Sequence, residues 1–210
     1  MTDWVTISSL ATAGGTLVLA TATFASVRSA NKAARTAERS LLAGLRPLLS
    51  NSRLDDPPMK VTFQDQHYLH LGGSRGVAEV SEEAIYLGIS IRNIGSGIAV
   101  LHGWRLHTDP MEGLDAPPDP SSFRRLTRDI YVAPGDTGFW QGALRDPAEP
   151  VFGAVADAIR ARGVLAVDVL YGDYEGGQRT VTRWGMWPRD DGGYLASVAR
   201  HWNIDRDNPR

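Results

Sequence analysis

The sequence predicts a mainly β protein, in which an N-terminal transmembrane helix continues into a juxtamembrane helix and then into an antiparallel β-sandwich with one inserted helix. Three observations lead to this prediction. Residues 4–27 carry no charge, and about 18 or more such residues can span a bilayer as a helix. Residues 28–49 are rich in Ala and Arg, which are good helix formers. Residues 50–210 contain short strand patterns separated by Gly and Pro turns, which are typical of a sandwich.

The uncharged run Trp4–Val27 is polar for a membrane span, since it contains five Thr, three Ser and two adjacent Gly. A buried helix of a soluble protein is therefore an alternative. A membrane span is favoured because no polar face recurs at helical spacing. A cleavable signal peptide is disfavoured because Met1-Thr2-Asp3 contains no basic residue and the run exceeds an apolar signal core of about 7–15 residues.

Charge predicts the orientation of the span. Residues 28–49 carry five basic groups and one acidic group, whereas residues 50–210 carry 17 basic and 22 acidic groups. Positive charge marks the cytoplasmic flank, so we expect the N-terminus outside and the C-terminal domain in the cytoplasm of a single-pass cell-membrane protein. Trp4 would lie at the outer interface, and the inner basic cluster would contact anionic lipid headgroups. This cluster consists of Arg28, Lys32, Arg35 and Arg39. The acidic body disfavours general nucleic-acid binding.

One continuous helix is expected from Trp4 to about Leu45, because Pro47 disfavours helical geometry at the residue before it. Its length would be ~63 Å at 1.5 Å per residue. Small residues recur along the membrane part at helical spacing, and such rows can pair helices in lipid. They are Ser8, Thr12, Thr16 and Ala20, with Gly15 beside them. A mostly Ala seam continues from Val27 to Leu48 at heptad spacing. Self-association into a homo-oligomer is one interpretation, and a simple abundance of small residues is the other.

The remaining 160 or so residues are enough for one domain with its own core. Alternation and turn residues predict strands at 59–63, 67–71, 85–91, 98–106, 129–133, 137–143, 164–171 and 178–187. Residues 194–204 favour a final strand, with a short helix as the alternative. Residues 150–162 show an apolar helical face that Gly163 ends. Residues 72–82 and 108–122 are the longest predicted loops.

Turn motifs resemble a known class of domain. Asn93-x-Gly95-x-Gly97, Pro134-Gly135-Asp136 and Val169–Asp173 with Gly177–Thr180 are similar to bacterial immunoglobulin-like adhesion and cell-surface modules. Thr36–Arg39 and Leu45–Pro47 after a span resemble uncharacterised single-span bacterial membrane proteins. The resemblance implies an immunoglobulin-like sandwich and supplies no activity. Those adhesion modules normally lie outside the cell, which conflicts with the orientation that charge predicts.

Candidate chemistry is sparse. Residues 93–100 lack the third glycine and following helix of a dinucleotide loop, so we interpret them as a tight turn with glycines at positive φ. The five histidines lack metal-ligand spacing, and no metal or cofactor is expected. Asp168 lies in the middle of a strand and needs a partner, for which Arg183 on the next strand is the candidate. Trp184 and Trp187 differ in strand parity, so one should be exposed and able to contact a partner.

These observations favour a non-enzymatic, membrane-anchored protein whose β-sandwich binds another protein, with self-association through the helix. The alternative is a membrane-tethered hydrolase or small-ligand-binding domain. It would use carboxylates and Arg183 in a cleft between sheets or under residues 108–127.

Overall fold

A computed structural model describes residues 4–208, without the side chains of residues 5 and 6, and divides the chain into two compact units, Met1–Ala43 and Gly44–Arg210. The first unit is a single helix, α1 (Trp4–Gly44), of 41 residues. The expectation of one continuous helix is confirmed, and its end lies one residue before the predicted one. By length and composition α1 could cross a membrane. The prediction that no signal peptide is present rested on Met1–Asp3, and these residues lie outside the part of the chain that the structure describes.

Antiparallel β-structure dominates the second unit. One curled sheet of nine strands contains β1 (Leu49–Asn51), β4 (Arg75–Val80), β5 (Ile85–Asn93), β6 (Ala99–His107), β7 (Arg124–Val132), β8 (Thr137–Leu144), β9 (Leu165–Gly172), β10 (Thr180–Pro188) and β11 (Tyr194–Asn203). Strands β2 (Met59–Thr62) and β3 (Tyr68–Leu71) form a separate hairpin. Helix α2 (Pro150–Arg160) lies between β8 and β9, and one 3-10 turn, Pro120–Ser122, lies before β7.

The mainly β prediction with one inserted helix is confirmed, but the two packed sheets of an immunoglobulin-like sandwich are not. The order along the sheet is β8, β5, β4, β11, β10, β9, β6, β7, with β1 beside β4 on the same edge of β5. The last segment is a strand, as favoured. Strand β4 contradicts the predicted loop 72–82, and β7 begins five residues before the predicted strand.

The core lies inside the curl of the nine-stranded sheet, where alternating residues of the central strands converge. Ile85, Leu87, Ile89 and Ile91 of β5 are fully buried there. The rings of Trp104 on β6, next to the end strand β7, and Trp140 on the other end strand, β8, contact edge to face, with centroids 5.5 Å apart. One face of α2 completes the core with Phe152, Val155 and Ala156. Apolar burial at this scale is the main stabilising contribution to such a domain.

Hydrogen bonds at the Asn93 turn hold the segment that follows α1 against the rest of the second unit. The Asn93 side chain accepts from the backbone N–H groups of Leu48 and Gly95, and it donates to the carbonyls of Gly97 and Val132 at 2.7 and 2.9 Å. A Cβ at Gly97 would lie 1.8 Å from the Leu45 carbonyl oxygen. Neither Gly95 nor Gly97 has a positive φ. The segment is a turn between β5 and β6, as expected, but the positive φ that we expected is wrong: these glycines are needed for close backbone approach.

Candidate functional site

A row of charged residues crosses the outer face of the sheet. Arg105 on β6 lies opposite Asp168 on β9, which lies opposite Arg183 on β10. The row faces away from the main core, because the neighbours Val167 and Val169 point inward. Asp168 and Arg183 are both completely buried. The predicted Asp168–Arg183 pair is present in the structure.

Every polar atom of the Asp168 carboxylate is occupied. Arg183 binds it in a bidentate manner, with Nε 2.6 Å from Oδ1 and Nη2 2.8 Å from Oδ2. His107 Nε2 and Arg105 Nη2 lie 2.9 and 3.2 Å from Oδ2. Burial alone would raise the pKa of Asp168, but the hydrogen bonds and charges of Arg183 and His107 outweigh it and hold the pKa below its ordinary value. The carboxylate is therefore ionised and saturated.

The predicted loop at 108–122 covers this charged row. Arg183 Nη1 donates to the carbonyl oxygens of Pro110, at 3.3 Å, and Glu112. His107 Nδ1 lies 3.3 Å from a Glu112 carboxylate oxygen, so both ring nitrogens contact carboxylates and neither is free to activate a nucleophile. Arg105, Asp168, Arg183 and His107, which we call the buried ionic cluster, tie this loop to the sheet.

The second candidate feature is the seam between β7 and β8. Strand β7 pairs along one edge with β6, and β8 pairs along one edge with β5. No ladder joins β7 to β8 among residues 4–208. Beside their connecting turn the two strands are close, since a Cβ at Gly138 would lie 2.8 Å from a Val132 methyl. Away from the turn no ladder joins the two strands, and the segment after β2 contacts the β7 edge, where Gln64 Nε2 donates to the Thr127 carbonyl oxygen at 3.4 Å.

A cleft of about 310 Å³ occupies this seam. Such a volume is at the lower end of the range for ligand sites. Trp104 and Gly142 lie on its core side, and Phe63 lines it from the end of β2. A Cβ at Gly142 would lie 2.7 Å from the Trp140 ring and 3.1 Å from the Trp104 ring, so only glycine leaves the rings in place.

One buried polar atom of the cleft lacks a partner. Gln141 on β8 is 5% exposed and lines the cleft. Its Oε1 atom makes no hydrogen bond in the described part of the chain. A buried acceptor without a donor costs about 1–3 kcal/mol.

Arginines line the cleft on both strands. Arg124 forms an ion pair with Glu149 and lies over the Trp104 ring, with its Cζ 5.3 Å from the centroid. Arg145 Nε lies 3.0 Å from an Asp65 carboxylate oxygen. Arg125 is exposed, and its guanidinium has no hydrogen bond or ion pair within residues 4–208. Among the described residues that line the cleft, Arg125 is therefore the arginine without an ion pair, and Asp146 is the carboxylate without one.

The residues predicted on the first unit all lie on α1 and are exposed. They are Trp4, Ser8, Thr12, Gly15, Thr16, Ala20, Arg28, Lys32, Arg35 and Arg39. Thr12 and Thr16 donate their hydroxyls to carbonyl oxygens one turn back, both at 2.8 Å, so these polar groups are satisfied within the helix. Gly15 has no neighbouring atom within 4 Å of a built Cβ. The four basic residues recur at spacings of four, three and four, which places them in one stripe along the helix.

The two tryptophans proposed as partner contacts differ in exposure, as their different strand parity predicted. Trp184 is completely buried in the main core, so this residue is not available to a partner. Trp187 is 48% exposed, and its Nε1 donates to Ser197 Oγ at 3.1 Å. A partner contact at Trp187 stays a prediction.

The sequence pattern missed the cleft and half of the buried ionic cluster. His107 and Arg105 were not linked to Asp168, because the β6–β9 register joins residues about 60 positions apart. The clearest indication of the cleft was the basic run at 124–128, which we had not assigned to a strand.

Comparison with known proteins adds no relative: no family model and no curated protein sequence matches this chain. The resemblance to immunoglobulin-like modules therefore gains no support from these comparisons.

Proposed function

We propose that this protein is a membrane-anchored binding protein whose β domain holds a protein partner at the seam between β7 and β8. The observation that supports this function is the cleft itself, which lies between two strands that no ladder joins and has aromatic side chains in its lining. By contrast, the acid and base groups that could serve a hydrolase are occupied by each other in the buried ionic cluster.

The anchor in this proposal is α1. Large apolar side chains such as Leu10, Leu17 and Phe24 are about 70% exposed in the structure. A bilayer would cover them and would place the basic stripe at its cytoplasmic surface. The N-terminus would be outside and the β domain inside, with Arg28 and Lys32 nearest to anionic headgroups. If protease added to intact cells degrades the β domain, this orientation is wrong.

Self-association through α1 is part of the same proposal. The small residues Ser8, Thr12 and Thr16 lie on one face, and the helix-bonded hydroxyls of Thr12 and Thr16 allow close approach in lipid. In the Ala-rich continuation, the basic residues lie away from the heptad seam, so pairing would not bring like charges together. Replacement of Thr12 and Thr16 by Leu should reduce crosslinked dimers in membranes. Replacement of Ser29, off the seam, should not.

The binding function is tested by site-specific crosslinking in native membranes. A photoreactive amino acid at Thr127, which is exposed at the cleft, should capture a defined protein at mapped contact sites. The same group at Glu175, an exposed turn position, is the matched control. Specific capture from Thr127 alone supports the proposal. Equal capture from both positions, or from neither, contradicts it.

A further inference from the structure

We infer that the junction between β1 and β11, which attaches the segment after α1 to the β domain, is a pH-sensitive contact that loosens when His201 binds a proton. The inference does not depend on a partner at the β7–β8 seam. Strand β1 pairs by a ladder with β5, and in the described part of the chain no ladder joins β1 to β11. Side chains bridge the two strands instead. The Val198 N–H donates to Asn51 Oδ1 at 2.9 Å, and Arg46 Nη2 donates to Asn203 Oδ1 at 2.7 Å.

A chain of hydrogen bonds connects the backbone of β1 to His201. The Leu49 N–H donates to the Tyr171 hydroxyl oxygen at 3.1 Å. That hydroxyl lies 3.0 Å from Thr182 Oγ1, which in turn lies 2.7 Å from His201 Nδ1. Leu49, Tyr171 and Thr182 are completely buried, whereas His201 is exposed. A titratable group at the surface therefore ends a chain of buried groups that begins in β1.

Burial fixes the direction of this chain. The Tyr171 oxygen already accepts from Leu49, and the acceptor within residues 4–208 for its own proton is Thr182 Oγ1. Thr182 must then donate its proton to His201 Nδ1, because this nitrogen is its other hydrogen-bond partner. A ring nitrogen that accepts carries no proton, so the chain requires neutral His201 with its proton on Nε2.

Protonation of His201 would disrupt this arrangement. With a proton on Nδ1, the imidazolium donates to Thr182 Oγ1, and the Thr182 or the Tyr171 hydroxyl then lacks an acceptor in a buried place, which is unfavourable. The positive charge of Arg46 also opposes a second positive charge on His201. Desolvation, followed by this charge, lowers the pKa of His201 below its ordinary value.

The other groups around the junction do not offset this effect. Tyr171 faces it from β9 and stays neutral, because burial raises its pKa. Arg206, from the C-terminal segment, adds a positive charge that acts on Arg46. In the part of the chain that the structure describes, His201 forms no ion pair with a carboxylate.

Loosening of the junction would relieve both costs of the proton. If β1 moves away from Tyr171, water reaches the stranded hydroxyl, and the distance between Arg46 and His201 increases. Because the pKa of His201 is lower in the closed junction, the closed form is fully favoured above the pKa of a free imidazole, about 6.5, and loses this advantage as pH falls below it.

The inference is tested by amide hydrogen exchange, measured by NMR on the full chain in neutral detergent micelles. The Leu49 amide is the reporter, because its acceptor is Tyr171. Between about pH 7.5 and about pH 4.5, its protection relative to the intrinsic exchange rate should fall by about tenfold, the change that a difference of about one pH unit in proton affinity gives. At each pH it should stay below the protection of Val169, in the middle of β9, because the junction opens without unfolding of the sheet.

Three variants identify the group that titrates. His201→Gln keeps an acceptor for Thr182 and cannot bind a proton, so Leu49 should stay protected at both pH values. His70→Gln removes an exposed histidine on β3 and should keep the natural pH dependence. Thr182→Val keeps the shape of the side chain and interrupts the hydrogen-bond chain, so protection of Leu49 should be low at both pH values.

A measurement on the natural protein needs no variant. The NMR shifts of the imidazole nitrogens should show His201 with its proton on Nε2 at about pH 7.5. A proton on Nδ1 at this pH would overturn the inference. So would protection of Leu49 that does not change with pH, an undiminished pH dependence in His201→Gln, natural behaviour of Thr182→Val, or equal protection of Leu49 and Val169.

Discussion

The buried ionic cluster and the β7–β8 seam are opposite arrangements of polar groups on one sheet. In the cluster, the carboxylate of Asp168 accepts from Arg183, Arg105 and His107, and a loop closes over it. At the seam, strand edges face each other without a ladder, and Gln141 Oε1 has no donor. Groups that satisfy each other stabilise the fold, whereas groups left unsatisfied can be satisfied by a partner.

This comparison predicts that changes in the cluster will cost stability far more than changes at the seam. Asp168→Ala should have the largest effect, because it leaves the buried Arg183 unpaired. We expect a loss of about 3–5 kcal/mol in the free energy of unfolding, measured by denaturant titration of tryptophan fluorescence in micelles. The double variant Asp168→Leu, Arg183→Met should recover much of this loss. A loss below about 1 kcal/mol for Asp168→Ala would contradict a structural role for the cluster.

A second prediction concerns the segment that follows α1. Gly97→Ala would place a Cβ within 1.8 Å of the Leu45 carbonyl oxygen, and the backbone must shift to relieve the contact. We expect a loss of about 1–3 kcal/mol, typical of overpacking. Gly153→Ala is the control, because Gly153 lies in α2 with no atom within 4 Å of a built Cβ. That change should stabilise by about 0.5–1 kcal/mol. Equal behaviour of the two variants would exclude the close approach.

The third prediction is a dependence of stability on acid. The pKa of Asp168 is lower in the folded protein than in the unfolded chain, so its contribution is fully present above the unfolded pKa, about 3.9. It is lost as pH falls through the folded pKa, because protonation then favours the unfolded state. The unfolding free energy of the natural protein should therefore fall more steeply below pH 4 than that of Asp168→Asn. Parallel pH profiles would show that Asp168 does not contribute.

Local patterns in the sequence predicted the features of the fold that depend on residues close together in the chain. Alternation located β5, β6 and β8 to within one or two residues, and strand parity identified both the Asp168–Arg183 pair and the exposure of one of Trp184 and Trp187. Strand β4 was missed because Arg75–Val80 is short and its burial does not alternate cleanly.

Features that depend on distant register could not be predicted in the same way. Arg105 contacts Asp168 because β6 pairs with β9, and no local sequence pattern specifies that pairing. The single curled sheet and its seam have the same origin, because they arise from β7 and β8 pairing with different partners although only a short turn separates them. Glycines 95 and 97 were misinterpreted because their contacts are with a segment about 50 residues away.

The smallest expected effect lies at the seam and has the opposite sign from the others. Gln141→Met keeps the length of the side chain and removes the unpartnered Oε1, so the free energy of unfolding should rise by about 1 kcal/mol. A destabilised Gln141→Met would mean that Gln141 supports the fold, and the contrast between cluster and seam would then fail.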